Sequence, residues 1–182
     1  MRKILFSTIL IICSNLVFAQ KFFTKNGSIS FFSKTTIENI QADNNQVMSV
    51  LNAQTGELQF SLLIKGFHFK KALMEEHFNE NYLESDQFPK ATFKGTIADI
   101  YKINFSNDAV YPVLVSGDLS MHGVTNKANC KGYISIKEGK ITGAAVFTIS
   151  LADFKIAIPK LVENKISKTI EIKVNCLYDQ KM

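Results

Sequence analysis

The sequence predicts an all-β fold with one short helix: eight antiparallel strands closed into a barrel, with a helical lid at one end. Three observations carry this. Most of the chain alternates apolar and polar residues with period two, the pattern of half-buried strands. The alternating segments are joined by short polar turns, which favours an antiparallel meander. Only one segment switches to helical spacing.

Residues 1–19 read as a signal peptide rather than as part of the fold. Arg2 and Lys3 form a basic start and Ile4 to Ile12 an apolar stretch. Val17 and Ala19 supply the small residues expected before a cut. The mature domain is therefore expected to span 20–182. The apolar stretch is short for a membrane span, and Ser14 and Asn15 interrupt it. Ile11 and Ile12 do not suit a lipoprotein cut before Cys13. No later segment resembles a membrane-spanning helix, so no stable membrane insertion is expected. The expected location is the periplasm or the outside of the cell. Cleavage would remove Arg2 and Lys3, lowering a net charge of +5 by two. The remaining lysines are scattered along alternating segments. That is a solvated outer face, and it argues against a nucleic-acid partner.

The strand candidates run 27–34, 46–52, 57–65, 91–103, 110–122, 127–137, 140–151 and 166–178. In the last, Ile166, Ile170, Ile172, Val174, Cys176 and Tyr178 share one face. Leu58, Phe60, Leu62 and Ile64 do so in the third. Val113, Val115, Gly117, Leu119 and Met121 form another such face. So do Ile141, Gly143, Ala145, Phe147, Ile149 and Leu151. Gln54-Thr55-Gly56, Ser106-Asn107-Asp108 and Glu138-Gly139 read as turns, the last as a tight hairpin. Eight long strands suggest closure, because a closed barrel removes exposed edges.

Between the third and fourth strands, 69–83 predicts an amphipathic helix. Phe69, Leu73, Met74, His77, Phe78 and Tyr82 lie on its apolar side. Ser85, Asp86 and Pro89 end it, proline by forcing extended geometry on its predecessor. Such a helix can cover one open end.

Gly95, Gly117, Gly132, Gly143 and Ala145 sit inside strands, where they either let the sheet bend or leave room within it. A barrel of eight strands either fills with side chains or holds one small ligand. Cys130 and Cys176 share the apolar phase, but a meander puts one strand between them. Two strand spacings, about 9.5 Å, exceed disulfide reach, so both are expected as free buried thiols.

Chemical motifs are absent. His68, His77 and His122 form no metal-ligand spacing, and no nucleophile has a base partner. Glu84 and Asp86 read as punctuation of the helix end. Neither an enzyme, a metal nor a cofactor is expected.

Two segments resemble the hallmark segments of the YceI-like family: Y-L-E-S-D-Q-F-P-K-A-T-F at 82–93 and G-D-L-S-M-H-G-V-T-N-K-A at 117–128. S-I-S-F-F-S-K at 28–34 and I-S-L-A-D-F-K-I at 149–156 are fainter echoes, in the family's order. Two positions depart from the pattern. Asn126 intervenes before Lys127, with Ala128 where proline is common, and Lys155 replaces the glycine of D-F-G-I. The resemblance implies a lipocalin-like barrel in an exported protein, binding a polyisoprenoid, a quinone-like molecule or a fatty amphiphile along the barrel axis.

The expected function is therefore an exported carrier or binding protein for a long-chain isoprenoid or similar lipid. A stress-protective or protein-interaction module with a packed barrel is the alternative. The expected ligand-binding residues are Phe60, Leu62, Leu73, His77, Phe78, Phe93, Ile97, Val115, Leu119, Ile134, Phe147, Ile149, Ile172 and Val174. Lys70, Lys71, His77 or Asp86 would meet a head group at the mouth. The oligomeric state is left open, with a homodimer among the options.

Overall fold

Alternation along the chain becomes alternation across a wall. In β9 (Thr169–Tyr178), Ile170, Cys176 and Tyr178 are buried while Glu171, Lys173 and Asn175 face solvent. A computed structural model of the chain describes residues 20–181; the segment read as a signal peptide lies outside the described residues. The other long strands are β1 (Lys21–Lys34), β2 (Asn39–Asn52), β3 (Glu57–Leu63), β5 (Lys90–Ile97), β6 (Ala109–Met121), β7 (Val124–Lys137) and β8 (Lys140–Ser150). They pair in sequence order, all antiparallel, and β9 returns to β1 through Ser28↔Asn175 to Phe32↔Glu171. The eight strands thus form a closed barrel. Two short additions, β4 (His68–Phe69) on β2 and β10 (Gln180–Lys181) on β1, extend the wall.

Several boundaries differ from those expected. β2 begins at Asn39 rather than in the mid-forties, because the polar run before Val47 conceals a strand. Its Asn44 is fully buried, yet satisfied: Nδ2 donates to the Leu63 carbonyl and Oδ1 accepts from the Gln46 amide. β5 stops at Ile97, where Asp99 takes a left-handed φ of 53° and starts a turn. β9 begins at Thr169, since Lys160–Val162 and the residues after it run as turns. The helix is also shorter than expected. α1 spans Ala72–His77 and widens into a π-helical segment over Phe78–Tyr82, with the Leu83 amide reaching back to the Phe78 carbonyl. Phe69 belongs to β4 instead.

The interior is unevenly filled. One end is packed by Leu51, Leu58, Ile97, Ile100, Val113, Ile136, Ile141 and Tyr178. A second cluster, including Ile64, Phe67, Leu83, Phe154 and Ile156, lines the end beside α1. The strand glycines act chiefly as space for neighbours. Gly95 and Gly117 face each other across β5 and β6, and a Cβ on either would lie 2.6 Å from the Phe93 ring. Gly132 lies against the Ala144 backbone, the close approach expected of a bending sheet. Gly27 sits at a register shift between β1 and β2, where an added Cβ would be 2.5 Å from Cys176 Sγ.

β8 separates the two cysteines, and both are free. Cys176 is fully buried, whereas Cys130 is only partly so. Burial pushes the Cys176 thiol up from an ordinary 9 to about 12. It also raises the Tyr178 phenol, against the downward pull of the Ser49 hydrogen bond.

Gly27→Ala should cost about 1–3 kcal/mol by overpacking. Adding Cys176→Ala should recover part of that loss, so the double variant is less destabilised than the sum of the singles in urea unfolding. The pH dependence has a definite sign. Unfolded chains release the thiol and phenol protons first, so the stabilising contribution is whole below about pH 9 and declines as pH rises towards 12. Denaturation across that window should show a falling free energy, with a shallower fall in Cys176→Ala.

Candidate functional site

A cavity of about 490 Å³ runs down the barrel from the α1 end. Period-two alternation aims one apolar side chain per strand pair of residues into it. Leu58, Ile97, Val113, Ile134 and Tyr178 form its floor, where Ser49 Oγ and Tyr178 Oη share a buried hydrogen bond of 2.9 Å. Phe60, Phe93, Val115, Cys130, Phe147, Ile172 and Val174 form its waist, and the Phe60 and Phe93 rings sit 6.2 Å apart. Leu62, Leu119 and Ile149 lie nearer the mouth. The lining is almost entirely apolar. It favours an apolar chain for every methylene taken from water and has few groups that dictate direction.

The lid is fixed by aromatic packing. Phe78 stacks on Phe31 at 5.3 Å and meets Phe67 and Phe69 at 5.6 and 5.1 Å. Such ring pairs each add about 0.5–1.5 kcal/mol beyond burial. The π widening places Phe78, Tyr82 and Leu83 against the barrel. Leu73 and His77 border the mouth from exposed positions rather than lying on the packed stripe.

All fourteen residues expected to bind a ligand therefore border one cavity. The expected head-group residues divide. Lys71 lines the mouth and pairs with Glu38 at 3.6 Å. Lys70 lies in an adjoining polar recess with Lys34, Ser167 and Glu171. Asp86 points away from the cavity, exposed and paired with Lys65. Sequence reasoning missed Phe31, Phe67, Ile156 and Val162 as lining residues. Phe31 is adjacent to Phe32, so its inward phase was ambiguous. Phe67 follows a 3₁₀ turn at Ile64–Gly66, and the others lie in a loop, where the period is lost.

Glu84 and His122 have a larger structural part than punctuation. Glu84 takes φ 43° at the end of the lid, and its carboxylate lies 2.9 Å from His122 Nε2. His122 Nδ1 is 2.9 Å from the Phe154 carbonyl, and the Phe88 ring meets the imidazole edge-on at 5.0 Å. Each ring nitrogen thus faces an oxygen from a different segment of the chain. His122 and Gly123 make the tight β6–β7 turn, both at positive φ. Lys155, in the 149–156 segment, adopts φ 57°, a conformation glycine would take with less strain. Among the described residues, no cluster of three or more His, Cys, Asp or Glu side chains is placed to hold a metal. No helix there is long and apolar enough to cross a membrane.

His122→Ala removes both contacts from a side chain only 11% exposed. The expected loss is about 2–4 kcal/mol of unfolding free energy, with Glu84→Gln costing less because that carboxylate is half-exposed. Urea denaturation of the two variants checks the order.

Comparison with known proteins places this architecture. No curated protein sequence matches the chain. Among solved structures, a polyisoprenoid binding domain from Saccharophagus degradans, implicated in plant cell wall breakdown, superposes with a TM-score of 0.77 at 16% identity, covering 88% of this chain and 98% of its own. BcnA of Burkholderia cenocepacia gives 0.67 at 15% identity, covering 82% and 94%. The YCEI protein of Campylobacter jejuni gives 0.59 at 17%, covering 81% and 90%. At these identities the likeness speaks for the fold. The family model described as YceI-like domain matches residues 16–177, nearly the whole barrel, and the chain belongs to the YceI-like family.

Proposed function

We propose that this protein is an exported carrier or binding protein for a long-chain isoprenoid or a similar amphiphile held inside the barrel. The observation that carries this is the continuous apolar cavity of about 490 Å³ behind a lid. That size falls within the roughly 300–1,000 Å³ of ordinary ligand sites. Each methylene buried contributes about 0.8 kcal/mol, so affinity rises with chain length until the floor at Tyr178 is reached. The packed end below that floor makes the cavity blind, and a ligand's polar group stays at the mouth beside Glu38, Lys71, His77 and Lys165. The structural likeness to a polyisoprenoid binding domain supports the ligand class. Export rests on the signal-like pattern of residues 1–19. The reading assigns no catalysis: burial raises the Cys130 thiol on the cavity wall, away from the nucleophilic thiolate.

Mass spectrometry of an organic extract from gently purified protein should find a long-chain lipid in about stoichiometric amount. Lipid-free protein that also takes up no polyprenol would overturn the reading. Ala145→Phe, which fills the waist from β8, should reduce retained lipid at least about ten-fold, since it removes the space for several methylenes. Its melting temperature should stay close to that of the wild type. Recovery of unprocessed protein beginning at Met1 from the cytoplasm would count against export.

A further inference from the structure

The rim of the cavity carries aliphatic side chains that are largely exposed. Ile37 in the β1–β2 turn is 58% exposed, Leu73 at the start of α1 is 60% exposed, and Leu161 in the β8–β9 loop is 90% exposed. Each adjoins a residue of the mouth lining: Glu38, Met74 and Val162. Three separate segments thus place a bare aliphatic tip around the same opening. Single exposed apolar residues are ordinary, but a ring of them around a ligand entrance is a contact surface.

Lysines accompany every tip. Lys34 precedes the first turn, and Lys70 and Lys71 precede α1. The β8–β9 loop carries Lys155, Lys160, Lys165 and Lys168 against Asp153 and Glu163. Of the rim's other acids, Glu38 is engaged by Lys71 and Glu75 turns back onto the Phe69 amide, while Glu76 and Glu80 stay exposed on the lid and Glu171 lies in the recess beside Lys34 and Lys70. Aliphatic tips with surrounding lysines suit a bilayer: the tips enter the acyl boundary and the ammonium groups meet lipid phosphates. Protein interfaces favour Tyr, Trp and Arg and are depleted in Lys, which is the reverse of this rim.

We propose that the lid end of the barrel docks on an anionic lipid bilayer, with Ile37, Leu73 and Leu161 in the headgroup layer. Docking there lets an apolar chain pass between bilayer and cavity without crossing water. Placing the mouth against the membrane gives the proposed binding function a route for loading, although the docking contact itself needs no cargo.

Co-sedimentation of the mature protein with phosphatidylcholine vesicles containing phosphatidylglycerol tests it. Binding should be clear on these vesicles, weaker on pure phosphatidylcholine and weaker in raised salt. Ile37→Ser with Leu161→Ser should lower the partition coefficient at least about ten-fold. Lys160→Gln with Lys168→Gln should lower it about five-fold per charge. None of these four residues lines the cavity, and thermal unfolding should be unchanged. Tyr101, 79% exposed in the turn after β5 beside the packed end, is the control. Tyr101→Ser should leave partitioning unaltered. The proposal is overturned by failure to bind either vesicle, by equal binding to both, or by a loss in Tyr101→Ser matching that of the rim variants. Cavity lipid is scored separately by extraction. Lipid-filled protein that ignores vesicles defeats the docking alone, and an empty barrel that docks defeats only the cargo reading.

Discussion

The imidazole of His122 joins three segments that alternation along the strands cannot hold. It sits in the β6–β7 turn, reaches the Glu84 carboxylate at the end of the lid, and reaches the Phe154 carbonyl in the β8–β9 loop. Phe88, just before β5, meets the ring edge-on. Ladder hydrogen bonds secure each strand to its neighbour, but the loops at an open barrel end have no such partner. A nearly buried ring making two polar contacts and one aromatic contact ties them to one another. With the linker anchored there, Leu83 and Ser85 become buried and the phenylalanine cluster can seat the lid.

A barrel that keeps a cavity gives up packing and must recover stability elsewhere. Here the division is spatial. Below the Ser49–Tyr178 hydrogen bond the interior is filled, with Leu51 and Cys176 wholly excluded from solvent. Above it, small residues and splayed phenylalanines leave an apolar space. Among the described residues, the buried side-chain atom left without a hydrogen-bond partner, Asn79 Oδ1, does not line that space. The filled end thus provides the rigid frame on which the open end depends, and the cavity gains depth without becoming a through-channel.

Much of this was legible beforehand because period two is a geometric consequence of the pleat. Phe147, Ile149, Ile172 and Val174 could be assigned to the interior from spacing alone, and the structure puts them on the cavity wall. Legibility ended where the period ended. Phe31 could not be phased beside Phe32, and the polar start of β2 hid a strand whose Asn44 is buried by hydrogen bonds to distant backbone. Leu73 and His77 were placed on the packed side of a regular helix. The π widening after His77 instead brings Phe78, Tyr82 and Leu83 onto the barrel.

The amino-acid sequence determined the antiparallel barrel, the order of its strands, the separation of Cys130 from Cys176 and the apolar character of the interior. Each of these follows from local alternation and short turns. Only the tertiary structure decided that the interior is packed at one end and hollow at the other, that Gly95 and Gly117 seat the Phe93 ring, and that Glu84 grips His122 rather than merely ending a helix. These are matters of distance between residues far apart in the chain. A cavity is the volume left when many side chains fail to meet, and no single segment records whether they do.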